Sequence, residues 1–240
     1  MLSILLKRQS QAKAKEKAKE QQAVTAKAKQ APGQSGESAR SIMGAKPWEE
    51  TQAMLKQDVS YLRTLAGSQE KDPYKTELVN KYRPLVEKLL ASHSNLDNLD
   101  VVWFFFQWQI DLGQLDQVHD RFREAIGQGL ETPNNWKANG QTTYCDIVFK
   151  HAHNAHANKV EFKRDYMLNA VNDLLDGTLA TNAPLKVKMF RLVGNWHYEA
   201  GEKEKAFKLF ELVMKLDPKK GGVKTKLKEL KEELGYGDPH

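Results

Sequence analysis

The sequence contains little cysteine and no long apolar run. One cysteine, Cys145, occurs among 240 residues, which excludes a disulfide framework or a multi-cysteine zinc site and makes a reducing interior the simplest compartment. No apolar run approaches about 18 residues, the length a membrane helix needs, so no membrane partner is expected. The apolar stretch at 2–6 is too short for a signal peptide, and charge follows it instead of preceding it. Phosphate-binding loops and nucleophile elbows are absent as well.

Taken together, the residues after the first 47 carry no net positive charge. Residues 1–47 hold ten Lys or Arg against three Glu, whereas the other 193 residues hold 27 basic and 28 acidic ones. A basic leading arm indicates a polyanionic partner that the arm reaches. The arm has no aromatic residue for base stacking, which favours duplex DNA over a single strand. The candidate phosphate contacts are Lys7, Arg8, Lys13, Lys15, Lys17, Lys19, Lys27 and Lys29.

The arm is of low complexity. Residues 7–30 are almost all Lys, Ala, Gln and Glu, which are good helix formers, but they offer no apolar face to bury. Residues 31–36, Ala-Pro-Gly-Gln-Ser-Gly, are typical of a linker. Residues 1–46 are therefore interpreted as a basic arm and linker, flexible or helical. A tail that only solubilises the protein is the alternative to a DNA-binding role.

Helical periodicity dominates the rest of the chain. Apolar residues between Met54 and Leu65 recur every three or four positions. The run Val101–Phe106 continues through Trp108 to Leu112, which favours a buried helix over a strand. No segment alternates between apolar and polar residues in the manner of a β-hairpin. The sequence therefore predicts an all-α protein of eight or nine helices.

Residues 190–218 are similar to a tetratricopeptide unit. Gly194 and Ala206 permit two helices to approach closely, Gly201 allows the turn between them, and Phe210 fills the interior. A copy 88 residues upstream matches less completely, and a further helix pair fits between the two. Three helical hairpins are therefore expected to stack as a short, irregular solenoid.

Three segments follow the arm in this interpretation. They are N-terminal helices in 47–95, tetratricopeptide-like hairpins in 96–218, and a capping helix and tail in 219–240. Within the first segment, Asp72-Pro73 is interpreted as a helix N-cap followed by proline at the first helical position. Pro84 is expected to kink or break the helix that follows.

Three histidines invite a metal interpretation. His151, His153 and His156 lie close in sequence, but only the last two share a helical face. No carboxylate or cysteine nearby in sequence completes a tetrahedral set of ligands. We therefore predict no metal site and no cofactor.

A second pattern imitates a nuclease. Asp146 is followed by Glu161-Phe162-Lys163, which resembles the acid-plus-ExK pattern of metal-dependent nucleases. That pattern needs a strand to aim both carboxylates at one ion, and the context here is helical. Enzymatic activity is therefore left open, without catalytic residues assigned.

Five large aromatic residues crowd one helix. They are Trp103, Phe104, Phe105, Phe106 and Trp108. Because a helix points adjacent residues in all directions, either the helix is buried on every side or another subunit covers part of the set. The second interpretation makes these five residues candidates for an oligomer interface, and the two interpretations are weighed equally.

The order of these segments resembles a known family. PWEETQAMLKQDVSYLRTL at 47–65, the block 82–133 and the tetratricopeptide-like 191–218 occur in succession. The most specific part is 96–133, with an aspartate-rich lead-in, a tryptophan, Asp111-Leu112-Gly113 and a closing Leu-Glu-Thr-Pro. Over about 47–234 the chain resembles the small terminase subunit, of the M type, from temperate contractile-tailed phages and their prophages.

The resemblance implies a role in DNA packaging. Small terminase subunits recognise the packaging site of viral DNA, assemble as ring-like homo-oligomers, and pass the DNA to a large subunit that carries the ATPase motor. The place of action is then the cytoplasm of the infected bacterial host. The family is commonly labelled the endonuclease component of terminase, a label that the residues of this chain do not support on their own.

Two other functions stay open. A tetratricopeptide-type adaptor that binds a peptide in its concave groove would show the same periodicities. A metal-dependent endonuclease acting within the terminase would use Asp146, Glu161 and Lys163.

Overall fold

The computed structural model describes residues 48–236, and every regular element in that range is an α-helix. The nine helices of this range are α1 (Trp48–Thr64), α2 (Gly67–Ser92), α3 (Asp100–Asp111), α4 (Leu115–Gly127), α5 (Gly140–Ala157), α6 (Asp165–Asp176), α7 (Ala183–Glu199), α8 (Lys203–Leu216) and α9 (Lys224–Glu233). The prediction of an all-α protein is therefore confirmed.

The start of α2 was predicted wrongly. The helix begins at Gly67, not after Asp72, so Asp72 is not its N-cap. Ala66 precedes the helix in an extended conformation, and its backbone N–H donates to the Glu70 carboxylate at 2.8 Å. A carboxylate in the first turn satisfies an N–H that would otherwise lack a partner, which lets the helix begin one and a half turns before Pro73.

Proline does not break α2. Pro73 and Pro84 both lie inside the helix, which continues to Ser92. Each proline removes one hydrogen bond to the carbonyl four residues earlier. Those carbonyls belong to Gln69 and Asn80, which are exposed residues, so water can take the place of the missing N–H. The buried apolar side chains on the other face of α2 hold the helix against the core, so of the kink or break expected at Pro84, the break does not occur.

A single carboxylate ties α1 to α2. Asp58 accepts hydrogen bonds from the hydroxyls of Tyr74 and Tyr82 at 3.0 and 2.7 Å and from Lys81 Nζ at 2.6 Å. These three donors lie on α2, and Asp58 is largely buried. Burial and the contact with Asp58 raise the pKa of both tyrosines far above the ordinary value. Both hydroxyls therefore stay protonated and fix the position of α1.

The core of the first six helices is aromatic. Trp103 on α3 lies 5.7 Å from Phe122 and 5.6 Å from Trp136, measured between ring centroids. Phe122 on α4 also meets Phe106 at 5.2 Å and Tyr144 of α5 at 5.6 Å. Edge-to-face and tilted pairs at these distances stabilise a core beyond the area they bury.

The last three helices, α7 to α9, form the C-terminal unit (residues 183–236). A Cβ added to Gly194 on α7 would lie 2.6 Å from the ring of Phe210 on α8, so the glycine permits the two helices to approach. Ala206 and Phe210 are fully buried, and Gly201 adopts a φ of +74° in the turn. The close pairing expected for 190–218 is present, and its kinship with tetratricopeptide repeats stays a prediction.

Trp196 joins the C-terminal unit to the helices before it. Its ring lies 5.6 Å from Phe162 and 6.3 Å from His156, and the Arg164 guanidinium lies 5.3 Å above it. In addition, Gln141 on α5 accepts the backbone N–H of Ala180 at 2.7 Å. The unit is therefore continuous with α5 and α6 and not a separate appendage.

Candidate nucleic-acid interface

The predicted DNA-contacting residues belong to the arm. The range from Lys7 to Lys29 lies outside the residues that the structure describes. The assignment of these eight basic residues to phosphate contacts therefore stays a prediction. The described residues carry a second charge pattern that the sequence analysis missed.

Charge is divided between two parts of residues 48–236. Residues 48–182 hold 14 Lys or Arg and 19 Asp or Glu, whereas the C-terminal unit holds 13 Lys or Arg and 8 Asp or Glu. The near-neutral total of the folded part therefore conceals an acidic region followed by a basic one. Counting charge in windows along the sequence would have found the division, because a polyanion responds to local charge and not to the total.

Part of the basic charge in the C-terminal unit is paired. Lys203 lies 3.3 Å from Glu233, Lys205 lies 2.8 Å from Glu202, and Lys228 lies 3.8 Å from Glu232. These pairs gather where α8 begins and α9 ends. Exposed pairs of this kind contribute little to stability, but each offsets the charge of one lysine.

Four of the five aromatic residues on α3 lie in the core of the chain. Trp103, Phe105, Phe106 and Trp108 are at most 2% exposed. Their burial by the chain's own helices favours the core interpretation for these four. Phe104 alone is half-buried, stacked on Trp108 at 5.7 Å.

Phe104 faces a groove that another surface can reach. The groove has a volume of about 370 Å³ and runs between α1 and the start of α3. Its apolar lining comes from Trp48, Leu55, Val59, Val101, Phe104 and Pro133. Of the five candidate interface residues, Phe104 is the one that lines this groove, and its role in an interface stays a prediction.

Comparison with protein families gives a match over most of these helices. A family model described as the phage small terminase subunit matches residues 52–176, just over half of the chain. The chain belongs to the phage small terminase subunit family. A search of curated proteins and a search of solved structures each find no match.

The family match covers the acidic part of the terminase subunit and not the basic part. It runs from the second turn of α1 to the end of α6 and so lies within the acidic region, residues 48–182. The C-terminal unit lies outside it. Membership assigns the protein in general terms to the terminase machinery of phage DNA packaging, and no helix among residues 48–236 is long and apolar enough to cross a bilayer.

The residues considered for nuclease chemistry are far apart in the terminase subunit. Asp146 lies within the first half of α5 and pairs with Lys150 at 2.7 Å, whereas Glu161 follows the end of that helix. Eleven residues of α-helix separate Asp146 from the end of α5, which corresponds to about 16 Å of rise. Lys163 lies over the ring of Tyr166, 5.6 Å from its centroid. The fold does not bring the two carboxylates to one ion.

The three histidines of α5 also diverge. His151 lies 6.4 Å from the ring of Tyr166, His153 lies 5.3 Å from Phe149, and His156 faces Trp196. Each imidazole meets a different aromatic ring. Among residues 48–236, no three His, Cys, Asp or Glu side chains are placed to share a metal ion.

A second groove lies between α6 and α8. It has a volume of about 430 Å³, with α7 as its floor. Leu168, Val171, Leu175, Val193, Leu209 and Leu212 supply its apolar lining, and Lys205, Lys208 and Lys215 lie at its edge. Leu175 is half exposed. This groove has the place that a concave peptide-binding surface would take in a stack of helical hairpins.

His119 is a buried polar residue that the sequence analysis did not single out. It donates from Nδ1 to Asp120 at 2.8 Å and accepts at Nε2 from the Tyr144 hydroxyl at 3.1 Å. Its ring stacks on Tyr166 with the centroids 3.7 Å apart. Burial lowers the pKa of His119, with the Asp120 carboxylate opposing that shift. Its place on the apolar face of α4, between Leu115 and Phe122, was the available signal.

Proposed function

We propose that this terminase small subunit binds viral DNA at the packaging site and directs cleavage and packaging by the large ATPase subunit. The observation that carries the proposal is membership of the family over residues 52–176. The charge of the chain agrees with it, because basic residues are concentrated at both ends of an acidic, family-matching region. The cytoplasm of the infected bacterial host is the corresponding place of action.

The arm supplies the main contact with DNA in this proposal. Its candidate contacts are the eight basic residues from Lys7 to Lys29, which can neutralise phosphates without reading bases. The arm offers no aromatic side chain for stacking, which favours a duplex. Site preference then comes from the helical body or from DNA shape.

A ring-like homo-oligomer is the second part of the proposal. The groove at Phe104 is an apolar, accessible surface on the family-matching helices, and a neighbouring copy would cover it. Several arms on one ring would reach the same duplex and raise each other's effective concentration.

Cleavage is assigned to the large subunit. Asp146 lies within α5 and Glu161 lies beyond its end, about three helical turns away along the chain, which does not favour one shared site. The present chain then chooses where the cut falls and leaves the chemistry to its partner. Incubating the purified chain with duplex DNA and Mg²⁺ or Mn²⁺ tests this division, and cleavage lost on Glu161→Gln would contradict it.

A peptide-binding adaptor is the second candidate, favoured by the groove between α6 and α8. Lysines at its edge suit an acidic helical segment. The two functions are compatible if the segment belongs to the large subunit. If the chain bound peptides and did not bind DNA, the result would support the adaptor function and not the packaging function.

The test of the proposed function is the solution mass of the full chain with and without duplex DNA. We expect a homo-oligomer that gains the mass of the duplex, with an affinity that falls steeply as salt rises. A strictly monomeric mass at tens of micromolar in moderate salt would remove the ring. Absence of a complex with DNA, even at low salt, would remove the packaging role of this chain.

A further inference from the structure

A small cleft lies at the end of the C-terminal unit where α7 begins and α8 ends. It has a volume of about 310 Å³. Three cations from two segments of the sequence line it, namely Lys188 and Arg191 on α7 and Lys220 in the loop after α8. We call this surface the basic cleft. Its remaining walls are largely apolar, from Ala183, Pro184, Val187 and Leu216.

The cations of the basic cleft are not neutralised by the rest of the folded chain. Within residues 48–236, neither Lys188, Arg191 nor Lys220 forms a salt bridge with a carboxylate. The lysines at the opposite end of the same unit do form such pairs. Among the described residues, the three cations of the basic cleft therefore lie together without a salt bridge, whereas other unpaired lysines of the unit, such as Lys208 and Lys231, do not line the cleft.

One carboxylate lines the basic cleft, and it has another task. Asp217 Oδ1 accepts the backbone N–H groups of Lys219 and Lys220 at 3.2 and 2.8 Å. These bonds hold the loop that presents Lys220 and the exposed Lys219. Asp217 offsets one positive charge, which leaves the cleft with a net positive charge.

Arg191 lies beside a glycine of the loop after α8. A Cβ on Gly222 would lie 3.2 Å from Arg191 Nη1, and Gly222 adopts a φ of +72°. The guanidinium therefore lies against the loop backbone beside Lys220. The planar guanidinium group suits two oxygens of one phosphate.

We propose that the basic cleft binds the phosphate backbone of duplex DNA as a second contact besides the arm. The proposal rests on the proposed function, since it adds a site for the same ligand. Apolar walls around a cluster of cations strengthen its attraction for an anion. The acidic region, residues 48–182, is repelled by DNA, so the C-terminal unit faces the duplex and the family-matching helices face away.

The test compares two triple variants of the full chain. The first, Lys188→Gln/Arg191→Gln/Lys220→Gln, removes the charge of the basic cleft. The second, Lys203→Gln/Lys205→Gln/Lys228→Gln, removes the same charge from the paired end of the same unit. Affinity for a fluorescent duplex is measured by anisotropy over a range of salt, after circular dichroism has shown that both variants are folded.

We expect the cleft variant to bind about tenfold more weakly, with a log–log salt slope shallower by roughly two to three, because each phosphate contact contributes about 0.9 to the slope. The control variant should bind nearly as the unmodified chain does. If the two variants had the same affinity and the same salt slope, the proposal that the basic cleft binds DNA would be overturned. The proposed function would stand. Failure of the unmodified chain to bind any duplex would overturn the proposed function and the cleft with it.

A second measurement covers the case in which the cleft variant does not fold. Lysines of the unmodified full chain are acetylated with and without duplex, and each modified position is quantified by mass spectrometry. Protection of Lys188, Lys219 and Lys220, with Lys203 and Lys228 unchanged, supports the proposal. Modification of the cleft lysines at the same rate with and without DNA contradicts it.

Discussion

The family-matching helices α1 to α6 and the C-terminal unit differ in what their side chains do. The first region is acidic and contains the aromatic core around Trp103 and Phe122. The second is basic, and a glycine sets the distance between its two main helices. Stability and affinity for DNA are therefore expected to respond to changes in different parts of one chain.

The largest expected effect is a cavity in the aromatic core. Phe106→Ala removes a fully buried ring and should lower the free energy of unfolding by roughly 3–5 kcal/mol. Phe104→Ala is the matched control on the same helix, and its half-buried ring should cost only about 1 kcal/mol. Urea denaturation followed by circular dichroism measures both.

The same pair of variants sharpens the question of the oligomer interface. Phe104→Ala should lower the solution mass while the subunit stays folded, because its ring faces the groove beside α1. An unchanged mass for a folded Phe104→Ala chain would remove this residue from the interface. If Phe104→Ala lowered the free energy of unfolding as much as Phe106→Ala does, Phe104 would be a core residue like the other four.

A pair of glycine variants compares the two regions at the level of backbone packing. Gly194→Ala places a methyl group against the buried Phe210 ring and should destabilise the protein by about 1–3 kcal/mol. Gly127→Ala at the end of α4 meets no atom within 4 Å, so it should stabilise by about 0.5–1 kcal/mol through helix propensity.

Thermal melts of the two glycine variants distinguish these outcomes by the sign of the change in Tm. Because Trp196 joins the regions, both variants should shift one common transition. A separate early transition in Gly194→Ala would mean that the C-terminal unit unfolds on its own. A neutral Gly194→Ala would contradict the close approach of α7 and α8.

The smallest effect is a pH dependence confined to the family-matching helices. The pKa of His119 is lowered by burial from its ordinary value of 6.5, so the unfolded chain binds a proton that the folded chain resists. The stability that this neutral histidine contributes is therefore fully present above the unfolded pKa. It is lost as pH falls from there toward the lower, folded pKa. His119→Gln should flatten the pH dependence of Tm between about pH 7 and pH 5. If the variant kept the same pH dependence, another group would be its cause.

The sequence predicted the helices well because their apolar residues recur with the helical period over long segments. It failed at the start of α2, where Pro73 looked like the first helical residue. The decisive contact there is a bond from Ala66 to Glu70, which has no hydrophobic signature. It also left the aromatic run undecided, because five adjacent rings are alike in sequence and only the neighbouring helices separate Phe104 from the rest.

The basic cleft had no local signal in the sequence. Lys188 and Arg191 stand about thirty positions before Lys220, and they meet only because α7 and α8 form an antiparallel pair. Net charge concealed the division as well, since the acidic and basic regions of residues 48–236 nearly cancel. The family resemblance, in contrast, rested on contiguous blocks and could be recognised without a fold.

The central claim is that DNA is bound by charge outside the family-matching helices, chiefly by the arm. The most direct measurement is the salt dependence of duplex binding by the full chain with Lys13, Lys15, Lys17 and Lys19 changed to Gln. This change keeps helix propensity and removes four charges. The matched control changes Lys71, Lys88, Lys137 and Lys159 to Gln within residues 48–182.

We expect the arm variant to bind at least about tenfold more weakly, with a log–log salt slope shallower by roughly three to four. The control should bind as tightly as the unmodified chain or slightly less so, with the slope unchanged. Equal affinity and equal slope for the arm variant and the unmodified chain would contradict the claim, and the arm would then be only a solubilising tail.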